Sequence, residues 1–118
     1  METLLLQDWI TLSTSVDLLT QSASSWLDVN AYEDIVLFLE VKEQSGFSPV
    51  ISYQTAPVRE NAAFVTLTRM AFSVGTTVTP ILAAYASLPV SRFLRWQIAS
   101  DGQCDATFRI WVAAYSLD

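Results

Sequence analysis

The sequence predicts an all-β protein: an antiparallel β-sandwich of jelly-roll type with about eight strands. Two observations carry this prediction. Apolar and polar residues alternate over several short runs, the period of two imposed by a half-buried strand. Gly, Pro, Ser and Asp interrupt these runs at roughly 8–12-residue intervals, a spacing that favours a sandwich over alternating strands and helices. The 118-residue length fits one domain, 1–118.

The opening segment LLLQDWITL (4–12) is apolar with a single acid. It suits an edge strand of the sandwich, or an N-terminal arm over 1–14 that lies on a neighbour. Its acidic residue at position 2 stands where a secretory leader carries a basic one, so no signal peptide is expected. SVDLLTQ (15–21) and SSWLDV (24–29) suggest one or two short strands.

DIVLFLEVKE (34–43) alternates most clearly. Ile35, Leu37, Leu39 and Val41 form one fully apolar face, while the opposite face turns from Val36 and Phe38 to Glu40 and Lys42. QSGFSP (44–49) reads as a turn and VISYQTAP (50–57) as a second strand, together a hairpin with a longer loop. PVREN (57–61) is a charged turn. AFVTLTRMAFS (63–73) has a rough period of two; a helix over 60–72 is the alternative, and the threonines favour strand. After VGTTVTP (74–80), a strand is expected over ILAAYASLP (81–89), stopped by Pro89.

RFLRWQIA (92–99) and ATFRIWVAAY (106–115) flank SDGQCD, whose Asp101–Gly102 pair is a strong hairpin signal. In the last strand Phe108, Ile110, Val112 and Ala114 make the core face. Arg109, Trp111 and Tyr115 point the other way. In its expected partner, Leu94, Trp96 and Ile98 point inward and Phe93, Arg95 and Gln97 outward. The expected outer patch is therefore Phe93, Arg95, Arg109, Trp111 and Tyr115. Tryptophan, tyrosine and arginine are enriched at the centres of protein interfaces, so this patch points to a protein partner. Two other uses fit the same residues. Trp111 can pack under a loop with Arg109 stacked on it, or the rings can form a sugar platform with Arg95, Gln97 and Arg109 gripping hydroxyls.

Composition narrows the chemistry. Hydrophobic residues make up 52% of the chain and charged residues 15%, more apolar than a soluble monomer needs. Part of that surplus is expected to be covered by other copies of the chain or by another protein. The net charge of −6 argues against nucleic acid. The longest apolar window, Ile35–Leu39, is too short to span a membrane. With no histidine, the chain lacks the commonest general base and a common metal ligand. Cys104 is the single cysteine, so no disulfide forms within the chain, and no histidine stands by to activate it as a nucleophile. Asp28, Glu33 and Asp34 lack the ligand order of a calcium loop, and a solvated turn accounts for them better. Nothing selects a catalytic pair from Glu33, Asp34, Glu40 and Glu60. The expectation is a protein that is not an enzyme and needs no cofactor.

Several stretches carry a resemblance: SSWLDVNAYEDIVLFLEV (24–41), SYQTAPVRENAAF (52–64), LPVSRFLRWQI (88–98) and DATFRIWVAAY (105–115). Their tryptophan before a short turn, aspartate opening an apolar strand, QTAP turn and RWxI…FRI strands resemble small structural proteins of tailed bacteriophages. The resemblance covers about two-thirds of the chain, leaves out METLLLQDWITL, and rests on structural motifs that assign no site residue. It implies a β-sandwich protein of the virion, made in the host cytoplasm, that decorates or cements a capsid. The implied partners are copies of itself, as in a trimer, and the major capsid or another virion protein. A surface glycan is the competing ligand.

Overall fold

The computed structural model describes residues 1–14, 18–84 and 90–116. Among the described residues nine strands form two antiparallel sheets. Sheet A holds β1 (Glu2–Thr14), β9 (Cys104–Tyr115), β4 (Asp34–Gly46) and β7 (Gly75–Ile81), in that order. Sheet B holds β2 (Leu18–Thr20), β8 (Phe93–Ala99), β5 (Val50–Ala56) and β6 (Val65–Ala71), and β3 (Leu27–Asp28) also pairs with β8. Because β2 and β3 add to the same neighbour on either side of a 3₁₀ turn at Ala23–Ser25, they act as one interrupted strand. Counted that way, two four-stranded sheets remain, and the chain alternates between them in two Greek keys. This is jelly-roll topology.

That alternation overturns two expected hairpins. β4 and β5 are consecutive but lie in different sheets, so the turn after Gly46 crosses the sandwich instead of folding β5 back along β4. β8 and β9 are likewise split: Ser100–Gln103 bridges sheet B to sheet A, and the Asp101–Gly102 bend does not make a two-residue hairpin. An Asp-Gly pair supplies a tight reversal, but the strands' long-range partners decide which sheet receives the next strand. Among the described residues, β5 and β6 are the sole consecutive strands that pair.

Other expectations shift by a segment. Residues 2–14 form β1, an edge strand antiparallel to β9. Asn61–Ala63 is a single 3₁₀ turn before strand β6, so there is no helix over 60–72. The strand placed at 81–89 instead occupies Gly75–Ile81, and residues 85–89 of that expectation lie outside the described residues. β7 accommodates Pro80 because it is an edge strand, where a missing N–H leaves no ladder bond unmade.

The core lies between the sheets. Leu37, Leu39, Phe108, Ile110 and Val112 from sheet A meet Ile51, Tyr53, Leu94, Trp96 and Ile98 from sheet B, all essentially inaccessible. Phe108 joins the layers edge-to-face: its ring centroid lies 5.4 Å from Trp96 and 5.3 Å from Phe72. Each such side chain contributes about 1.5–3 kcal/mol on burial. Two register shifts in β1 turn Leu6 and Gln7 towards the interior. There Leu6 is buried, and Gln7 Oε1 accepts a hydrogen bond from Trp96 Nε1 at 3.1 Å. Cys104 is buried at the start of β9 as a free thiol.

Candidate protein-contact surface

The five residues expected on one outer patch fall on opposite surfaces. Arg109, Trp111 and Tyr115 share the outer face of sheet A, while Phe93 and Arg95 lie on the outer face of sheet B and are buried there. A period of two assigns each side chain correctly to the inside or outside of its own strand. It carries no information about whether two strands share a sheet.

Arg95 is 3% exposed. Its Nε donates to Gln54 Oε1 at 2.8 Å and its Nη1 to Asn61 Oδ1 at 2.7 Å, while its guanidinium lies over the Phe64 ring at 3.9 Å and near Trp26 at 5.2 Å. Burial lowers its pKa from the ordinary arginine value. Gln54 extends the network to Gln97 and Thr66, and Gln97 reaches Thr20, so polar side chains cross all four strands of sheet B. Phe93 is covered by the guanidinium groups of Arg59 and Arg92, 4.9 and 5.1 Å from its centroid. Phe93 and Arg95 are therefore parts of a structural layer and are not available for contact.

Sheet A is different. Its register places outward residues in ranks across the four strands. One rank is small: Thr3 on β1, Ala113 on β9, Val36 on β4 and Pro80 on β7. The next is larger: Leu5, Trp111, Phe38 and Val78. In the third, Trp9 lies beside Arg109, followed by Glu40 and Thr76. Arg109 Nη2 donates to Glu40 Oε2 at 2.6 Å, and its guanidinium sits between Trp9 at 4.6 Å and Trp111 at 5.0 Å. This pair neutralises the only charges in the two central strands at that level. Leu5, Trp9, Val78 and Tyr115 remain 38%, 44%, 52% and 41% exposed around the partly covered Trp111 and Phe38, so bulky apolar side chains adjoin one another on this face.

A groove of about 440 Å³ opens over the β1–β9 half of the small rank, lined by Met1, Thr3, Ala113 and Tyr115 and bordered by Phe38, Glu40 and Trp111. Below the Arg109 level the face becomes polar, with Thr11 and Thr107 bonded at 2.9 Å and Glu43 beside them. The sequence reading missed Leu5, Trp9, Val36, Phe38 and Val78. The signal for Val36 and Phe38 is present in DIVLFLEVKE, whose second face begins apolar before it becomes charged.

The acidic residues considered as metal ligands do not converge. Asp28 accepts the Asn30 N–H and pairs with Arg92 at 3.4 Å, while Asp34 accepts the Ala83 N–H at 2.7 Å. Among the described residues no group of three or more His, Cys, Asp or Glu is placed to hold a metal ion.

No family model matches the chain, and no curated protein matches it. Among solved structures, the chain is similar to one titled "Structure of infectious bursal disease virus Gx strain", with a TM-score of 0.46 and 11% identity. That alignment covers 94% of this chain and 31% of the other, so the chain spans under a third of that protein's length.

Proposed function

We propose that the protein is a non-catalytic structural component of a virus particle that decorates or cements a capsid by laying the outer face of sheet A on another protein. The observation that carries this reading is the apolar face centred on Trp111, which a monomeric sandwich has no use for. The topology supports it, since two-sheet jelly rolls recur in capsid, lectin and cupin domains. The absence of histidine counts against cupin-like metal chemistry. The sheet edges favour contact through a face. Pro80 blunts β7, register shifts distort β1 and the β5–β6 pairing, and the 3₁₀ turn interrupts β2 and β3. Such devices oppose edge-to-edge pairing. The tailed-phage setting, synthesis in the host cytoplasm and a place in the virion rest on the sequence resemblance.

Trp111→Ala tests the reading. The side chain is outward and only partly covered, about 100 Å² of apolar surface, so its loss is expected to cost the fold about 2–3 kcal/mol without unfolding it. Co-sedimentation with purified capsids should fall sharply while the far-UV spectrum and a cooperative melting transition are retained. Wild-type protein that never co-sediments with particles would remove the proposal. The groove also sets Thr3 and Glu40 beside aromatic rings, which favours a carbohydrate as the second ligand class. Quenching of tryptophan fluorescence by polysaccharide, with no particle association, would select that alternative.

A further inference from the structure

We infer that the outer face of sheet A is self-complementary and closes against the same face of a second copy in an isologous, two-fold dimer. The inference rests on the proposed use of that face and names what covers it in the free protein: a second copy, which capsid binding displaces. Three observations lead to a second copy.

The first is shape. The groove over Ala113 lies directly beside the ridge of Leu5, Trp111 and Phe38, one rank away. Ranks are about 6.7 Å apart along a strand. A two-fold axis lying in the interface, across the strands and midway between these ranks, turns the second copy antiparallel. It sets each copy's larger rank over the other's smaller one, so that Trp111 faces the groove at Ala113 and Phe38 faces Val36. Large against small is the condition for interdigitated packing between sheets about 10 Å apart. Repeating one surface on both partners requires no second specialised site.

The second is charge. A chain of net charge −6 resists its own copy. On this face Glu40 is matched by Arg109 at 2.6 Å, Asp34 in the Tyr115 rank accepts the Ala83 N–H, and Glu43 and Asp105 lie beyond Arg109 towards one end. The two-fold axis sets the Arg109–Glu40 pair of one copy over Tyr115 and Asp34 of the other. The antiparallel arrangement sends the two Glu43 ends outward in opposite directions. A parallel stack would superpose them.

The third is area. The overlap runs from the Tyr115–Asp34 rank to the Arg109–Glu40 rank; four ranks at about 6.7 Å and four strands at about 4.8 Å give roughly 500 Å² per copy. The total of about 1,000 Å² reaches the lower bound of a specific interface, which suits a dimer that forms at micromolar concentration.

Sedimentation velocity of the full chain over a concentration series decides the matter. Wild type is expected to show a monomer–dimer equilibrium. Ala113→Arg fills the groove from the outer face, and Val78→Glu places a charge on an exposed edge position. Each should raise the dissociation constant by at least about tenfold, the scale of a hot-spot loss. Both should retain the wild-type far-UV spectrum, and the second guards against misfolding of the first. Glu43→Arg, outside the overlap, should leave the dimer intact. A chain that stays monomeric at millimolar concentration, or a dimer that survives both substitutions, overturns the inference. If the monomer still binds purified particles, the proposed function stands and only the dimer is lost. A dimer that never binds particles supports the self-complementary face and removes the capsid role instead.

Discussion

Tyr53→Phe should stabilise the protein, and by an amount that grows with pH. Tyr53 is inaccessible on the inner face of β5, paired across the sheet with Trp96. Its hydroxyl is buried with no hydrogen-bond partner among the described residues. An unsatisfied buried polar group costs about 1–3 kcal/mol, whereas removing it without changing side-chain shape is nearly neutral to packing. Allowing for the dispersion contacts of one lost oxygen, the expected gain at neutral pH is about 1 kcal/mol. With an unfolding entropy of about 2.1 cal/mol/K per residue, 118 residues give an upward shift in Tm of about 4 °C.

Burial also raises the Tyr53 pKa well above its ordinary value of 10.0. In the unfolded chain this tyrosine loses its proton near pH 10, while in the folded chain it keeps it. The unfolded state then binds fewer protons, so stability is intact below pH 10 and falls as pH rises beyond it. By pH 11 the contribution is about 1.4 kcal/mol. Phenylalanine has no such proton, so the gap between variant and wild type should widen to about 2.4 kcal/mol at pH 11. Urea denaturation at pH 7 and pH 11, followed by circular dichroism, measures both quantities. A variant less stable than wild type at pH 7, or a gap that does not change with pH, would refute the burial argument.

Two further predictions address the loops and sheet B. Gly46 has φ +80° at the end of β4, and a Cβ there would collide with the Gln103 carbonyl oxygen. Gly46→Ala should therefore lower stability by about 1–3 kcal/mol, read from the urea midpoint, and an unchanged midpoint would show that the crossing turn has slack. Arg95→Met keeps the stem but leaves Gln54 Oε1 and Asn61 Oδ1 without their donor and removes the stack on Phe64. The expected loss is about 1–2 kcal/mol with capsid co-sedimentation unchanged; weakened co-sedimentation in a stable variant would return Arg95 to the contact surface.

Much of the local order is legible in the residues. DIVLFLEVKE declares a strand and its inner face, and Phe108, Ile110, Val112 and Ala114 point inward as their alternation requires. Trp96 is in the core for the same reason. Each of these facts depends on neighbours two positions apart, which the chain displays directly. The apolar start of β4's second face is also visible, but it becomes part of a surface only when Trp111 and Leu5 are laid beside Phe38.

Strand content, the side chains each strand hides and the existence of surplus apolar surface all follow from residue order alone. Where that surplus collects does not; the three-dimensional arrangement settles it. Arg95 and Arg109, both outward in strands joined by a short turn, end on opposite sides of the sandwich, one sealed by Phe64 and the other held between Trp9 and Trp111. The reason is that side-chain alternation is a property of one strand, whereas membership of a sheet depends on hydrogen bonds to strands distant in sequence. β9 pairs with β1 and β4, not with the strand that precedes it.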